Sequence, residues 1–247
     1  MIEHDNTIIV IPARMVARRL PGKPLVDLHG LPMIVHVWKR AKAANIGHVL
    51  VAAAENQIAD AVRAAGGDAM VTPLNLAASV DRISAALKLR DPQHRFSNIL
   101  SLPATLPTFE KLALQRCLAG LTNTTVDLAT LASPLTDPEE LNDPHVVKAI
   151  APLSTEREVA YARDFVRKLD DGFEAPFWRH IPLYAYRRET LDRLASLAPS
   201  TRELLRQLEP MRALDHDMKI AVVKVDTSPL SVDTPADLEL ARRTMKA

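Results

Sequence analysis

Ile8, Ile9, Val10 and Ile11 form an unbroken apolar run that stops at Pro12 and empties into a loop carrying Arg14, Arg18, Arg19 and Lys23. A continuous β-branched run of this kind reads as a strand buried on both faces, the habit of parallel sheets covered by helices. In open sheets of that class, ligands bind outside the carboxyl ends of the strands, and the turn after the first strand is a phosphate site. A solvated surface loop is the plain alternative for a basic cluster. Pro12, Pro21 and Pro24 argue against it, because they restrict the chain more than solvation requires. The Pro21-Gly22-Lys23 piece is not a Walker loop, since it lacks the first glycine and the hydroxyl residue after the lysine.

The remaining pattern alternates short apolar runs with amphipathic stretches, the signature of an α/β sheet. Strands are expected at 7–11, 48–52, 68–71, 98–102 and 127–132. Helices are expected at 32–44, 57–65, 80–89 and 109–119, the second ending at Gly66-Gly67. Beyond Pro138 the rhythm changes: a short helix, a strand at 146–150, then a polar and irregular stretch from Pro152 to Phe177. A strand at 180–186, a helix at 202–214, a strand at 218–225 and a helix from Pro235 to the end complete the chain. The fold class is therefore α/β, a mostly parallel, doubly wound, Rossmann-like sheet with a smaller α+β insertion. We read residues 1–247 as a single domain in which 135–215 forms the insertion.

Composition narrows the function classes. The chain has 247 residues, 31 basic and 30 acidic side chains and a net charge of +1, so no global field draws it to nucleic acid or an anionic membrane. Anion binding must be local. The single cysteine, Cys117, rules out an intrachain disulfide and lies in an apolar helical stretch, where it reads as buried filler. Neither a secretory signal before Ile8 nor a membrane span is expected, which fits a cytoplasmic protein. Only 7 glycines occur, against roughly 17 at average usage.

Several segments together carry a resemblance: IPAR, RLPGKPL and GLPMIVHVW near the start, then AVRAAGGDAMVT, LNDPHVVKAI, RHIPLYAYRR and VDTPADLELARR. In this collinear order the chain strongly resembles the 3-deoxy-manno-octulosonate cytidylyltransferases, the CMP-KDO synthetases of lipopolysaccharide biosynthesis. The resemblance implies a nucleotidyltransferase fold, a cytoplasmic homodimer with 135–215 as the dimerisation and sugar-side insertion, CTP and KDO as substrates, and Mg²⁺ as cofactor. It places Arg14 and Lys23 on the phosphates as catalytic residues, with Arg19 and Arg82 as further nucleotide-binding residues. His180, Tyr184 and Glu209 match sugar-side positions, and Lys148, Arg163 and Arg212 match polar positions around the site. Asp233 matches one metal-binding aspartate; an N-cap of the last helix is the plain reading of the same residue.

Some positions depart from the family pattern. Pro103, Ala104 and Thr105 stand where a Gln-Gly-Asp segment is expected, so Thr105 occupies the second metal-ligand position. A threonine hydroxyl is a weak ligand for a hard dication beside a carboxylate. Ala53-Ala54 replace a Thr-Asp pair, Ala17-Arg18 a Ser-Thr pair, and Ala78-Ser79-Val80 a Ser-Gly-Thr segment before Asp81 and Arg82. Pro182, Pro210 and Ser231 replace a glycine, a glutamine and a glycine. Asp81 or Glu55 could substitute for the missing acid. These changes predict weakened cytosine recognition and Mg²⁺ binding. They leave two functions open: an enzyme with a rearranged site, or an inactive paralogue with a binding or regulatory role through dimerisation.

Overall fold

A computed structural model describes residues 6–76, 78–168 and 176–245. Part of the irregular stretch, residues 169–175, and the last two residues of the expected terminal helix lie outside the described residues. The elements follow in chain order. Strand β1 is Thr7–Ala13, and a short hairpin pairs β2 (Asp27–Leu28) with β3 (Leu31–Pro32). Then come α1 (Met33–Ala44), β4 (His48–Ala53), α2 (Asn56–Ala64), β5 (Asp68–Val71) and α3 (Ser79–Arg90). They are followed by β6 (Asn98–Ser101), α4 (Lys111–Ala119), β7 (Leu128–Pro134), α5 (Glu139–Asn142) and β8 (Lys148–Ile150). The chain continues through β9 (Val159–Tyr161), β10 (Asp164–Val166), β11 (Phe177–Arg187) and α6 (Arg188–Ser196). It closes with α7 (Thr201–Arg206), α8 (Pro210–Leu214), β12 (Ile220–Lys224) and α9 (Pro235–Thr244).

The chain divides into two compact units, Met1–Leu114 with Pro229–Ala247, and Gln115–Ser228. In the first unit four strands run parallel in the order β5-β4-β1-β6. Residues Ile8 to Ile11 are fully buried, as their unbroken apolar run requires. The chain steps outward from β1 to β4 to β5, then returns to place β6 on the other side of β1. The carboxyl end of β1 therefore opens at the point where the winding reverses, the usual crevice of an open α/β sheet. A separate core joins both ends of the chain: Leu20, Leu28 and Met33 pack with Val232, Leu238 and Ala241.

In the second unit β7 lies between β11, antiparallel to it, and β12, parallel to it. β9 adds antiparallel to β12, while β8 pairs with both β10 and β11. The long strand β11 changes register between Ile181 and Tyr184. Pro182 lies inside that irregularity; it has no N–H to give the ladder. The Thr130 hydroxyl lies within hydrogen-bonding distance of the flanking carbonyls of Ile181 and Leu183, at 3.1 and 2.9 Å. Cys117 is buried, its sulfur near the Ala129 and Leu183 carbonyls, and burial pushes its thiol well up. It is filler, as its apolar setting indicates.

Three expectations are corrected. The stretch from Pro152 is not wholly irregular, since it contains β9 and β10. The expected helix at 202–214 is two short helices, parted where Gln207 takes a left-handed φ of 53° and Pro210 starts afresh. Helix α6 follows β11 directly, in a charged stretch where none was expected.

Candidate functional site

The basic loop is tied down at several points as it leaves β1. The Ala54 N–H donates to the Ala13 carbonyl at 2.8 Å, and the Met15 N–H donates to Glu55 Oε2 at 3.0 Å. Glu55 thereby anchors the loop to the start of α2. The loop closes where the Gly22 N–H donates to the Met15 carbonyl at 3.1 Å. Gly22 has φ +71°, a left-handed conformation that L side chains rarely adopt. A single 3₁₀ turn, Lys23–Leu25, follows and fixes the root of the Lys23 side chain.

Lys23 Nζ donates to Asp233 Oδ1 at 2.7 Å, across 210 residues of sequence, and Arg19 lies 3.9 Å from the same oxygen. Two contacts hold the segment before Asp233: the Leu230 N–H donates to Thr108 Oγ1 and the Val232 N–H donates to the Thr105 carbonyl, both at 2.8 Å. Ser231 Oγ donates to Asp233 Oδ2 at 2.7 Å and lies 3.3 Å from Thr105 Oγ1. The N-cap of α9 is Thr234, not Asp233. Its hydroxyl accepts from the Asp237 N–H, while Asp237 Oδ2 accepts from the N–H groups of Asp233 and Thr234. This box leaves the Asp233 carboxylate to the lysine. Burial works to raise that carboxyl, but the Lys23 ammonium and the Ser231 hydroxyl outweigh it and hold it below the usual range.

At the mouth of β1, a small pocket of about 100 Å³ is lined by Pro12, Ala13, Arg14, Ala78, Ser79 and Arg82. Arg82 is buried and spends donors on structure: Nη1 on the Thr72 hydroxyl (2.5 Å) and the Pro73 carbonyl (3.2 Å), Nη2 on the Leu76 carbonyl (2.8 Å). It is both a pocket wall and a clamp on the segment after β5. Burial lowers its pKa first, and the charge of Arg14 lowers it further, with Glu55 opposing. Two guanidinium groups that repel each other make the pocket a place where an anion is welcome.

The second unit holds the residues expected near a sugar. His180 lies 4.8 Å from Phe165 and 5.6 Å from Tyr184, ring centre to ring centre, and Tyr184 lies 5.9 Å from Tyr186. Burial lowers the His180 pKa to about 3, so the ring is neutral; its Nε2 is 3.0 Å from the Thr130 hydroxyl. Burial raises both tyrosine hydroxyls well up, and the charge of the Glu209 carboxylate raises them further. Of the three expected sugar-side residues, His180 and Tyr184 are ring neighbours. The charge of Arg212 works against that of Glu209 on Tyr186, lowering its pKa. Arg212 is fully buried and forms a bidentate pair with Glu203, both bonds at 2.8 Å. Lys148 is likewise buried, its ammonium on the carbonyls of Asp143 (2.6 Å) and Arg167 (2.9 Å), with its pKa lowered by burial. Arg163 is exposed.

The oxygens around Asp233 do not fit Mg²⁺. A hard dication needs several oxygen ligands, with carboxylates to offset its charge. Here one oxygen of the Asp233 carboxylate holds an ammonium and the other a hydroxyl, the neighbouring Asp237 carboxylate accepts from the N–H groups of Asp233 and Thr234, and Thr105 and Ser231 add only neutral oxygens. Glu55 is committed to the Met15 N–H. No group of three or more His, Cys, Asp or Glu side chains suited to a metal occurs among the described residues.

Comparison with known proteins identifies the family of the chain. A profile of the cytidylyltransferase family matches residues 8–220. The 3-deoxy-manno-octulosonate cytidylyltransferase of Paramagnetospirillum magneticum is 45% identical over 97% of this chain and 98% of its own length. That of Parvibaculum lavamentivorans is 47% identical over 97% and 93%. The chain belongs to the 3-deoxy-manno-octulosonate cytidylyltransferase family. A solved CMP:2-keto-3-deoxy-manno-octonic acid synthetase, in complex with CTP, superimposes with a TM-score of 0.83 at 31% identity, over 97% of this chain and 98% of that one. A 4-diphosphocytidyl-2C-methyl-D-erythritol synthase from Anaerococcus prevotii shares the fold alone, with a TM-score of 0.62 at 13% identity over 98% of each chain. Within this family frame, two residues have roles that the sequence does not indicate, although Glu55 is a candidate substitute acid and Thr72 ends the AVRAAGGDAMVT segment. Glu55 acts through a backbone N–H 40 residues away, and Thr72 acts through Arg82 from a loop.

Proposed function

We propose that this chain binds CTP on its first unit and transfers CMP from it to 3-deoxy-manno-octulosonate, with release of pyrophosphate, as a cytoplasmic step of lipopolysaccharide synthesis. The observation that carries this reading is the pocket at the mouth of β1. It joins two neighbouring guanidinium groups, Arg14 and Arg82, to the loop that bears Arg19 and Lys23. In the reaction a sugar hydroxyl oxygen bonds to the α-phosphorus, the bond from that phosphorus to the pyrophosphate oxygen breaks, and the hydroxyl proton leaves. Negative charge accumulates on the phosphate oxygens. Arg14, Arg19 and Lys23 are the cations that offset it, and Lys23 is held in place by Asp233. His180, Tyr184 and Glu209 are the proposed sugar-side residues, and residues 135–215 the dimerisation region of a homodimer.

Turnover in this proposal is well below that of a site with two carboxylates. Supporting this are Thr105 at the second acidic position and the small apolar Ala53, Ala54 and Ala78 where polar groups are expected. Each missing hydrogen bond in a pocket costs about 1–3 kcal/mol, and each 1.4 kcal/mol is roughly tenfold in rate. The same observations favour a second reading, an inactive paralogue that binds nucleotide and regulates a partner through its dimer interface. A coupled pyrophosphate-release assay with CTP and KDO separates the two. Slow turnover that rises at least about tenfold in Thr105→Asp with Mg²⁺ present supports the enzyme. Intact CTP binding with no turnover in either protein leaves the regulatory reading, and absence of CTP binding overturns both.

A further inference from the structure

We infer that the Lys23 ammonium serves this site in place of a divalent cation, so that nucleoside triphosphate binding is independent of Mg²⁺. The inference rests on the nucleotide-binding reading above and goes beyond it by replacing the expected metal with a side chain. Its basis is the Asp233 cluster. An ammonium 2.7 Å from Oδ1 and a hydroxyl 2.7 Å from Oδ2 fill the directions a metal would need. Neither contact is incidental. Lys23 is rooted in a closed 3₁₀ turn, its side chain only 17% exposed, and Ser231 lies in a segment pinned to Thr105 and Thr108. A dication entering here would have to displace the lysine from Asp233 and would then find that carboxylate and two neutral hydroxyls, the Asp237 carboxylate being held by the N–H groups of Asp233 and Thr234.

Charge counting points the same way. Arg14, Arg19, Lys23 and Arg82 bring four positive charges to this region, and Glu55, Asp233 and Asp237 bring three negative ones. The surplus is already positive before any ion arrives. It repels a lone dication and attracts the polyanionic triphosphate. A magnesium ion travelling on the triphosphate would lower the charge that the loop is built to attract, without gaining protein ligands to compensate.

The test is calorimetric titration of CTP into the full chain, once with MgCl₂ and once with EDTA, alongside electron paramagnetic resonance of Mn²⁺ with protein alone. Affinities within about twofold of each other and an unchanged free-Mn²⁺ signal are expected. In Thr105→Asp, which restores a second carboxylate, Mn²⁺ should be taken up and CTP should bind at least about tenfold more tightly with Mg²⁺ than with EDTA. Loss of CTP binding in EDTA by the unaltered chain, or its uptake of Mn²⁺, overturns this inference and leaves the nucleotide-binding reading standing. Failure to bind CTP under either condition overturns that reading, and the inference with it.

Discussion

His180 shows how one side chain links burial to pH. The free imidazole titrates near its ordinary 6.5, whereas the ring packed against Phe165 and Tyr184 titrates at about 3. Between those values the unfolded chain binds a proton that the folded chain refuses, so stability falls as pH drops from about 6.5 towards 3. Urea midpoints measured from pH 7 to 5 are expected to decline, and His180→Asn should be less stable at pH 7 but show a shallower decline. Residue-level legibility in this chain follows chemistry. Arg14, Lys23 and Asp233 stand in motifs that carry the family resemblance, so the sequence singles them out. The partners that hold them, Glu55 and Ser231, act on a backbone N–H and on a carboxylate already in use, and such roles leave no pattern along a sequence.

Among the elements, the loop after β1 depends on one backbone conformation. Gly22→Ala would meet only Met15 Cε at 3.7 Å, so space is available, but its φ of +71° would be strained. A loss of about 1–2 kcal/mol in urea unfolding is expected, together with weaker CTP binding as the Lys23 turn shifts. The parallel strands of the first unit could be read from the sequence because β1, β4 and β6 are apolar runs separated by amphipathic helices. β9 could not. It is three residues long, and its apolar Val159 and Tyr161 are exposed, so no alternation marks it. The break between α7 and α8 was hidden for another reason: Gln207 adopts a left-handed φ that its identity does not suggest, and Pro210 begins a helix as readily as it ends one.

For the whole molecule, the proposed dimer is the feature most open to measurement. Sedimentation of the full chain at micromolar concentration is expected to give a dimer near twice the 27.2 kDa chain mass, and a monomer would remove 135–215 as a dimerisation region. The α/β class and the family were legible from the order of several motifs. The division at residues 115 and 228 was not, because no linker, glycine cluster or change in composition marks either point.

Lys23 and Asp233 also set an order of events during synthesis. The cation stands near the start of the chain and its carboxylate near the end, and the small core beneath the loop draws Leu20 and Met33 from one end and Val232 and Leu238 from the other. A ribosome that has passed Lys23 but not yet reached Val232 has therefore supplied β1, the arginines of its loop and the lysine, but not the floor beneath them. Helix α9, made long after β1, completes the loop that follows it.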